Sequence, residues 1–214
     1  MLLVGGPRPA AAQYPVFDAH IHYSRPDWDA YPPERALALL ARAGVRRALV
    51  SSTPDDGTLK LYERAPTVVV PFLRPYRRRE DMGGWHADAG VAEYVEERLK
   101  RGIYRGIGEF LWAHAGMSAD ARTVGRLLDR FPKLWVELAL RSDVAPGGRL
   151  DPEWRARFLR HADRFMVGTD TWVTSRWEAV ESSTRDVQEW LAELPAEVAE
   201  QIAWRNGARL FPAP

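Results

Sequence analysis

Short apolar runs alternate along the chain with segments in which apolar residues recur at helical spacing. The runs are bounded by Gly, Pro, Asn or Asp, which is typical of strands in an α/β protein. The clearest predicted strands span residues 16–22, 46–52, 67–73, 134–140 and 165–168. Helical stripes are predicted at 33–43, 91–99, 124–131, 151–158 and 187–194, and a last helix is predicted from Pro195 to Asn206-Gly207.

Three local signals add detail to this pattern. Asp55-Asp56-Gly57 predicts a turn between two strands. Ser118 is placed to cap the helix at 124–131, and Asp151, followed by Pro and Glu, predicts a helix start.

The alternation of strands and helices predicts a parallel sheet of about six strands with helices outside it. A closed barrel of eight such units usually needs about 250 residues, and this chain has 214. From length alone an open doubly wound sheet fits more easily. The glycine patterns of nucleotide-binding and serine-hydrolase motifs are missing from the sequence.

Charge and cysteine content narrow the range of functions. The chain carries 30 Lys and Arg against 29 Asp and Glu, so bulk electrostatic binding to nucleic acid or to an anionic membrane is not expected. No apolar run reaches the roughly 18 residues of a membrane-spanning helix. The chain has no Cys, so any metal must be held by His, Asp or Glu.

The first 15 residues are predicted to lie outside the folded domain, which we place at 16–214. Ala10-Ala11-Ala12-Gln13 fits two interpretations, a disordered tail or the remnant of a signal peptide. The first is compatible with a cytoplasmic protein and the second with a periplasmic or secreted one.

His20 and His22 are the strongest candidates for metal ligands. Their spacing of two places both imidazoles on one face of the first strand, where they can converge on one divalent cation. Asp18 is predicted on the same face, and Phe17, Ala19 and Ile21 on the other. The alternative is a hydrogen-bonded surface strand.

Asp170 ends the last apolar strand and is the candidate third ligand. If the sheet closes into a barrel, its first and last strands are neighbours, and Asp170 meets His20 and His22 at their C-terminal ends. Two imidazoles and a carboxylate suit Zn²⁺, Mn²⁺ or Fe²⁺, and the carboxylate could also accept a proton from water. The alternative is that Asp170 and Thr171 cap the segment that follows.

Several motifs together resemble the amidohydrolase superfamily, specifically the amidohydrolase-related branch that includes aminocarboxymuconate-semialdehyde decarboxylase-like proteins. They occur in the family's order as Phe17-Asp18-Ala19-His20-Ile21-His22, Gly106-Ile107-Gly108-Glu109-Phe110, Trp112-Ala113-His114-Ala115-Gly116, Val167-Gly168-Thr169-Asp170 and Ile202-Ala203-Trp204-Arg205-Asn206-Gly207-Ala208-Arg209-Leu210-Phe211. The resemblance implies a TIM-type barrel with a divalent metal, most often zinc, and a small-molecule substrate.

The resemblance also assigns roles to residues. His20 and His22 match the first-strand ligands, and Asp170 matches the last-strand ligand and catalytic carboxylate. His114 matches the sixth-strand histidine, which is a ligand or an acid–base and carbonyl-polarising group, and Glu109 matches a fourth-strand acidic position.

One departure from the family pattern stands out. The fifth-strand His ligand is missing, because the segment containing Glu109 runs directly into the segment containing His114. We therefore expect an incomplete barrel with an internal deletion. A natural deletion, a shortened gene model and a degraded paralogue would look alike.

If this segment is one straight strand, Glu109 and His114 are about 16 Å apart on opposite faces. We therefore expect His114 at the site and Glu109 deeper in the barrel or in its wall.

Three functions follow as hypotheses. The first is a metal-dependent hydrolase of a small carbonyl or acyl substrate, with Asp170 and His114 as catalytic residues. The second is a nonoxidative decarboxylase, and the third is an inactive binding relative or a truncated fragment. Arg74, Arg141 and Trp172 are weaker candidates for substrate binding; Arg141 is expected to pair with Glu137. Unpaired barrel edges predict a homodimer or low stability.

Overall fold

The computed structural model describes residues 13–108 and 120–214. Six strands lie in these ranges: β1 (Val16–Ile21), β2 (Val45–Val50), β3 (Val69–Leu73), β4 (Gly106–Ile107), β5 (Val136–Glu137) and β6 (Phe165–Met166). The α-helices there are α1 (Pro33–Arg42), α2 (Asp56–Arg64), α3 (Val91–Leu99), α4 (Ala121–Arg130), α5 (Pro152–Arg160), α6 (Thr174–Glu178), α7 (Val180–Leu191), α8 (Ala196–Glu200) and α9 (Asn206–Leu210). None of the helices in the described ranges is long and apolar enough to cross a membrane.

The strands form a curled, parallel, incomplete barrel. Strands β1 to β4 pair in chain order, and β5 pairs with β6. Strand β1 lies beside the segment that follows β6, because the Ala19 amide donates to the Val167 carbonyl (2.8 Å) and the His22 amide donates to the Thr171 carbonyl (2.8 Å). The spatial order is therefore β5-β6-β1-β2-β3-β4. The predicted α/β class, the incomplete barrel and the contact between first and last strands are confirmed.

The start of α2 corrects the predicted turn at Asp55-Asp56-Gly57. Asp55 precedes the helix, and the following residues form its first turn. Gly57 is needed there because a Cβ at this position would lie 1.7 Å from the Tyr23 carbonyl oxygen. The glycine permits close contact between α2 and the loop after β1, rather than a change of chain direction.

The C-terminal helix does not end at Asn206-Gly207, as predicted. A π-helical turn, Gln201–Arg205, leads directly into α9, which begins at Asn206. The Asn206 amide donates to the carbonyls of Ala162 and Phe165, both at 2.8 Å. A Cβ on Gly207 would lie 2.2 Å from the Phe17 ring. This Asn-Gly pair therefore packs α9 against β1.

The helix caps are partly as predicted. The Asp151 carboxylate accepts the amides of Glu153 and Trp154 at the start of α5, as expected. The N-cap of α4 is Asp120, whose carboxylate accepts the Thr123 amide at 2.7 Å. The predicted cap, Ser118, lies outside the described residues.

Two apolar clusters lie on opposite faces of the sheet. Ala48 and Val50 of β2 belong to the larger cluster and Leu49 to the smaller one, as strand alternation requires. Strand β1 breaks this alternation, because Phe17 and Ala19 join the smaller cluster and Ile21 joins the larger. The prediction that these three share a face is wrong. The cause is an irregular β1–β2 register between Asp18 and Ile21.

Candidate metal centre

Three side chains converge where β1 and β6 end. The Nε2 atoms of His20 and His22 are 3.0 Å apart. The Asp170 Oδ1 atom lies 3.5 Å from the first nitrogen and 3.4 Å from the second. The side chains are only 18%, 3% and 12% exposed, respectively. Asp170 is 150 positions from His20 in the chain, and the parallel pairing of β1 with the segment after β6 brings the two together.

The distances suit one tetrahedral divalent ion. Ligand atoms that each lie 2.0–2.1 Å from a tetrahedral zinc ion are about 3.3 Å from one another. The three separations in the cluster, 3.0, 3.4 and 3.5 Å, bracket that value. Two imidazoles and one carboxylate also have the chemistry of a catalytic zinc site, which keeps a further position for water or substrate.

The outer nitrogens of both imidazoles are held by acceptors. The His22 Nδ1 atom contacts the Ser51 carbonyl oxygen, and the His20 Nδ1 atom lies 3.2 Å from Glu137 Oε2. When both Nδ1–H groups donate to these oxygens, both Nε2 atoms carry lone pairs. Three electron-pair donors then face one another, and a divalent cation or a proton between them relieves their repulsion.

Asp18 is hydrogen-bonded to the backbone beside the cluster but is not one of its three ligands. Its buried Oδ1 atom accepts the amides of His20 and Thr169, each at 3.0 Å, and its Oδ2 atom accepts the Thr169 hydroxyl at 2.7 Å. Burial raises the pKa of Asp18 to about 6, although these hydrogen bonds partly oppose the effect. Asp18 thus links β1 to the segment that carries Asp170.

A cavity of about 710 Å³ opens beside the cluster, and His22 and Asp170 form part of its wall. Arg74, which directly follows β3, is 5% exposed; its guanidinium lies 4.9 Å from the Tyr76 ring centre and 3.5 Å from the Thr53 hydroxyl. The remaining lining residues include four further arginines and several apolar side chains: Ser24, Arg25, Pro26, Pro54, Arg77, Arg78, Arg79, Glu80, Met82, Leu140 and Trp172.

Comparison with known proteins gives one family match. A family model described as amidohydrolase matches residues 109–213. The match supports membership of the amidohydrolase superfamily. It contains Asp170 but begins after His20 and His22, so the convergence of the three side chains is an observation separate from the match. No curated protein matches the chain.

Members of the amidohydrolase superfamily usually bind a divalent metal, and the cluster described above has the donors to hold one. The two other residues that the superfamily resemblance places near the metal, Glu109 and His114, lie outside the described residues. Their assignments, including the expectation that His114 rather than Glu109 reaches the site, stay predictions.

The weaker candidates for substrate binding divide between two cavities. Arg74 and Trp172 line the cavity beside the cluster of His20, His22 and Asp170. Arg141 lines a second cavity of about 440 Å³ against α7 and binds the Asp143 carboxylate at 2.7 and 2.8 Å. Glu137 is bound to His20, so the predicted pairing of Glu137 with Arg141 is wrong.

Sequence reasoning missed the residues that orient the ligands. Neither Glu137 nor Ser51 belongs to a recognisable motif. Each contacts a histidine because the folded sheet brings its strand segment close to β1. The one available signal for Glu137 was a single carboxylate inside the apolar run predicted at 134–140.

Proposed function

We propose that this chain is a metal-dependent hydrolase of the amidohydrolase superfamily that acts on a small carbonyl or acyl substrate. The metal, which we propose to be zinc, is held by His20, His22 and Asp170. The observation that carries the proposal is the convergence of three donors within 3.5 Å while both Nδ1 atoms are held by acceptors.

The residues divide the proposed chemistry between them. A bound divalent ion supplies Lewis acidity and lowers the pKa of water toward 7. Asp170 has a second carboxylate oxygen, Oδ2, which is the proposed acceptor for a proton from the attacking water. His114, by its resemblance to the sixth-strand histidine, is the proposed carbonyl-polarising group. His20 and His22 keep their proton on Nδ1 throughout.

The cavity beside the cluster is the proposed substrate site. Its volume of about 710 Å³ is within the range of small-molecule sites. Trp172 and Leu140 offer apolar surface there, and Arg74 offers a buried guanidinium. We propose that the first two contact the body of the substrate and that Arg74 binds a polar or anionic substituent.

Hydrolysis of a panel of small esters, lactones and amides tests the hydrolase proposal. The protein is stripped with a chelator and assayed before and after addition of Zn²⁺, Mn²⁺ or Fe²⁺. We expect turnover to return with metal in the wild type and in His86→Ala, an exposed histidine outside the cluster. The same addition should not restore His22→Ala. Equal rates in His22→Ala and wild type would contradict the proposal.

A nonoxidative decarboxylase is the second candidate, and the arginines of the cavity favour it. Five of them line its wall, against two acidic residues, Glu80 and Asp170, so the cavity suits a carboxylate. Incubation with a panel of small carboxylic acids, with measurement of released CO₂, separates this reaction from hydrolysis, which releases an acid instead.

We further propose that the chain belongs to the aminocarboxymuconate-semialdehyde decarboxylase-like branch and has lost internal barrel units. The ordered motifs support the branch, and six strands in the described residues, against eight in a complete barrel, are compatible with a loss. An inactive relative is the remaining alternative; in that case the metal would bind without turnover on any of the panels.

A further inference from the structure

The main chain beside the third ligand is bound by one arginine. Arg176, in the short helix α6, donates through Nε to the Asp170 carbonyl at 2.6 Å and through Nη2 to the Thr169 carbonyl. The guanidinium thus uses two donors on two successive carbonyl oxygens. These contacts leave the Asp170 carboxylate directed at the histidines.

Asp170 needs such support because its backbone conformation is unusual. Its φ of +49° is in the left-handed region, which residues other than glycine rarely adopt. Residues held in this region persist when their surroundings determine the conformation. On its other side, Thr169 is bound through its amide and hydroxyl to the buried Asp18 carboxylate.

The positive charge of Arg176 is unfavourable for metal binding at the neighbouring cluster. A positive charge close to a cation site weakens cation binding through Coulomb repulsion. An arginine that served no geometric purpose there would therefore lower the affinity for the metal. Its hydrogen bonds to the carbonyls of Thr169 and Asp170 offset this repulsion, because they hold the backbone in the conformation that directs Oδ1 to both imidazoles.

We propose that Arg176 is a positioning residue of the metal centre, which acts by holding Asp170 in its left-handed conformation. The proposal rests on the proposed metal-binding function. Loss of an outer partner of a metal ligand typically lowers metal affinity 10- to 100-fold. We expect a loss of this size in Arg176→Ala, opposite in sign to the gain that removal of a repelling charge would produce.

The test is titration of the metal-free protein with Zn²⁺ alone and with Co²⁺ alone. We expect Arg176→Ala to bind both ions 10- to 100-fold more weakly and to show a changed Co²⁺ visible spectrum, because the carboxylate no longer reaches the ion. Arg176→Lys keeps one donor and should lose less. Arg185→Ala, an exposed arginine on α7, is the matched control and should equal the wild type.

A double-mutant cycle with Asp170→Asn separates positioning from general destabilisation. If Arg176 acts through Asp170, Arg176→Ala should cause no further loss of affinity in the Asp170→Asn background. An equal loss in both backgrounds, or unchanged or tighter binding by folded Arg176→Ala, overturns the inference while leaving the metal site intact. Failure of the wild type to bind either ion overturns the proposed function and this inference together.

Discussion

Replacement of Asp18 by Asn should make the protein's stability less dependent on pH. The Asp18 carboxyl has a pKa raised by burial from 3.8 to about 6 in the folded chain. The folded state therefore binds more protons than the unfolded state between these values, and its stability falls as the pH rises through them. At pH 4 the wild type has lost about a fifth of this contribution, and by pH 7 it has lost nearly all of it.

The size of the effect follows from the two pKa values. A difference of about two pKa units corresponds to about 3 kcal/mol, of which about 2 kcal/mol falls between pH 4 and pH 7. Asn suits the site, because its carbonyl oxygen can replace Oδ1, which accepts the amides of His20 and Thr169. Its NH₂ group can then donate to the Thr169 hydroxyl, which contacts the Thr171 hydroxyl at 2.8 Å.

Urea unfolding at pH 4, 5, 6 and 7, with a chelator present throughout, measures this difference. We expect the free energy of unfolding of Asp18→Asn to rise relative to the wild type by about 2 kcal/mol from pH 4 to pH 7. Asp186→Asn, on α7, serves as the control and should follow the wild type. A constant difference between Asp18→Asn and wild type across this range would refute the reasoning.

Three further predictions concern packing, ligand orientation and assembly. Gly57→Ala should lower the free energy of unfolding by about 1–3 kcal/mol, because the added Cβ meets the Tyr23 carbonyl, whereas Gly83→Ala, with open space around it, should not; urea titration compares the two. Glu137→Leu should weaken zinc binding 10- to 100-fold, since His20 loses the acceptor of its Nδ1 proton; competition with a chromophoric chelator measures this. In sedimentation experiments we expect dimers or larger species, because in the described chain β4 pairs only with β3 and β5 only with β6, and a monodisperse, heat-stable monomer would contradict this expectation.

The alternation of parallel strands and helices could be predicted from periodicity, and the convergence of the ligands could be predicted once the sheet was expected to close. Parallel strands end at one edge of a sheet, so a histidine pair at the end of the first strand and a carboxylate after the last are neighbours once those strands meet. The spacing of His20 and His22 identified the pair. The family resemblance then supplied the barrel, which the length of the chain disfavoured.

What sequence could not predict depends on contacts between distant segments. The irregular register of β1 places Ile21 on the opposite face from Phe17, and no local pattern encodes that shift. Gly57 follows two aspartates, a pattern that predicts a turn. In the structure it is required because the Tyr23 carbonyl leaves no room for a side chain. Glu137 contacts His20, which is more than a hundred positions away in the chain, and Arg176 binds the Asp170 carbonyl six positions away. Neither hydrogen bond follows from a local sequence pattern.

The metal content of the purified protein tests the central claim most directly. Elemental mass spectrometry of the wild type, His20→Ala, His22→Ala and the control His86→Ala gives the number of ions bound per chain. We predict close to one divalent ion, zinc, in the wild type and in His86→Ala, and a marked loss in the two cluster variants. Absence of metal from a wild-type protein purified without chelator and supplied with zinc, or equal stoichiometry in all four proteins, would contradict the account.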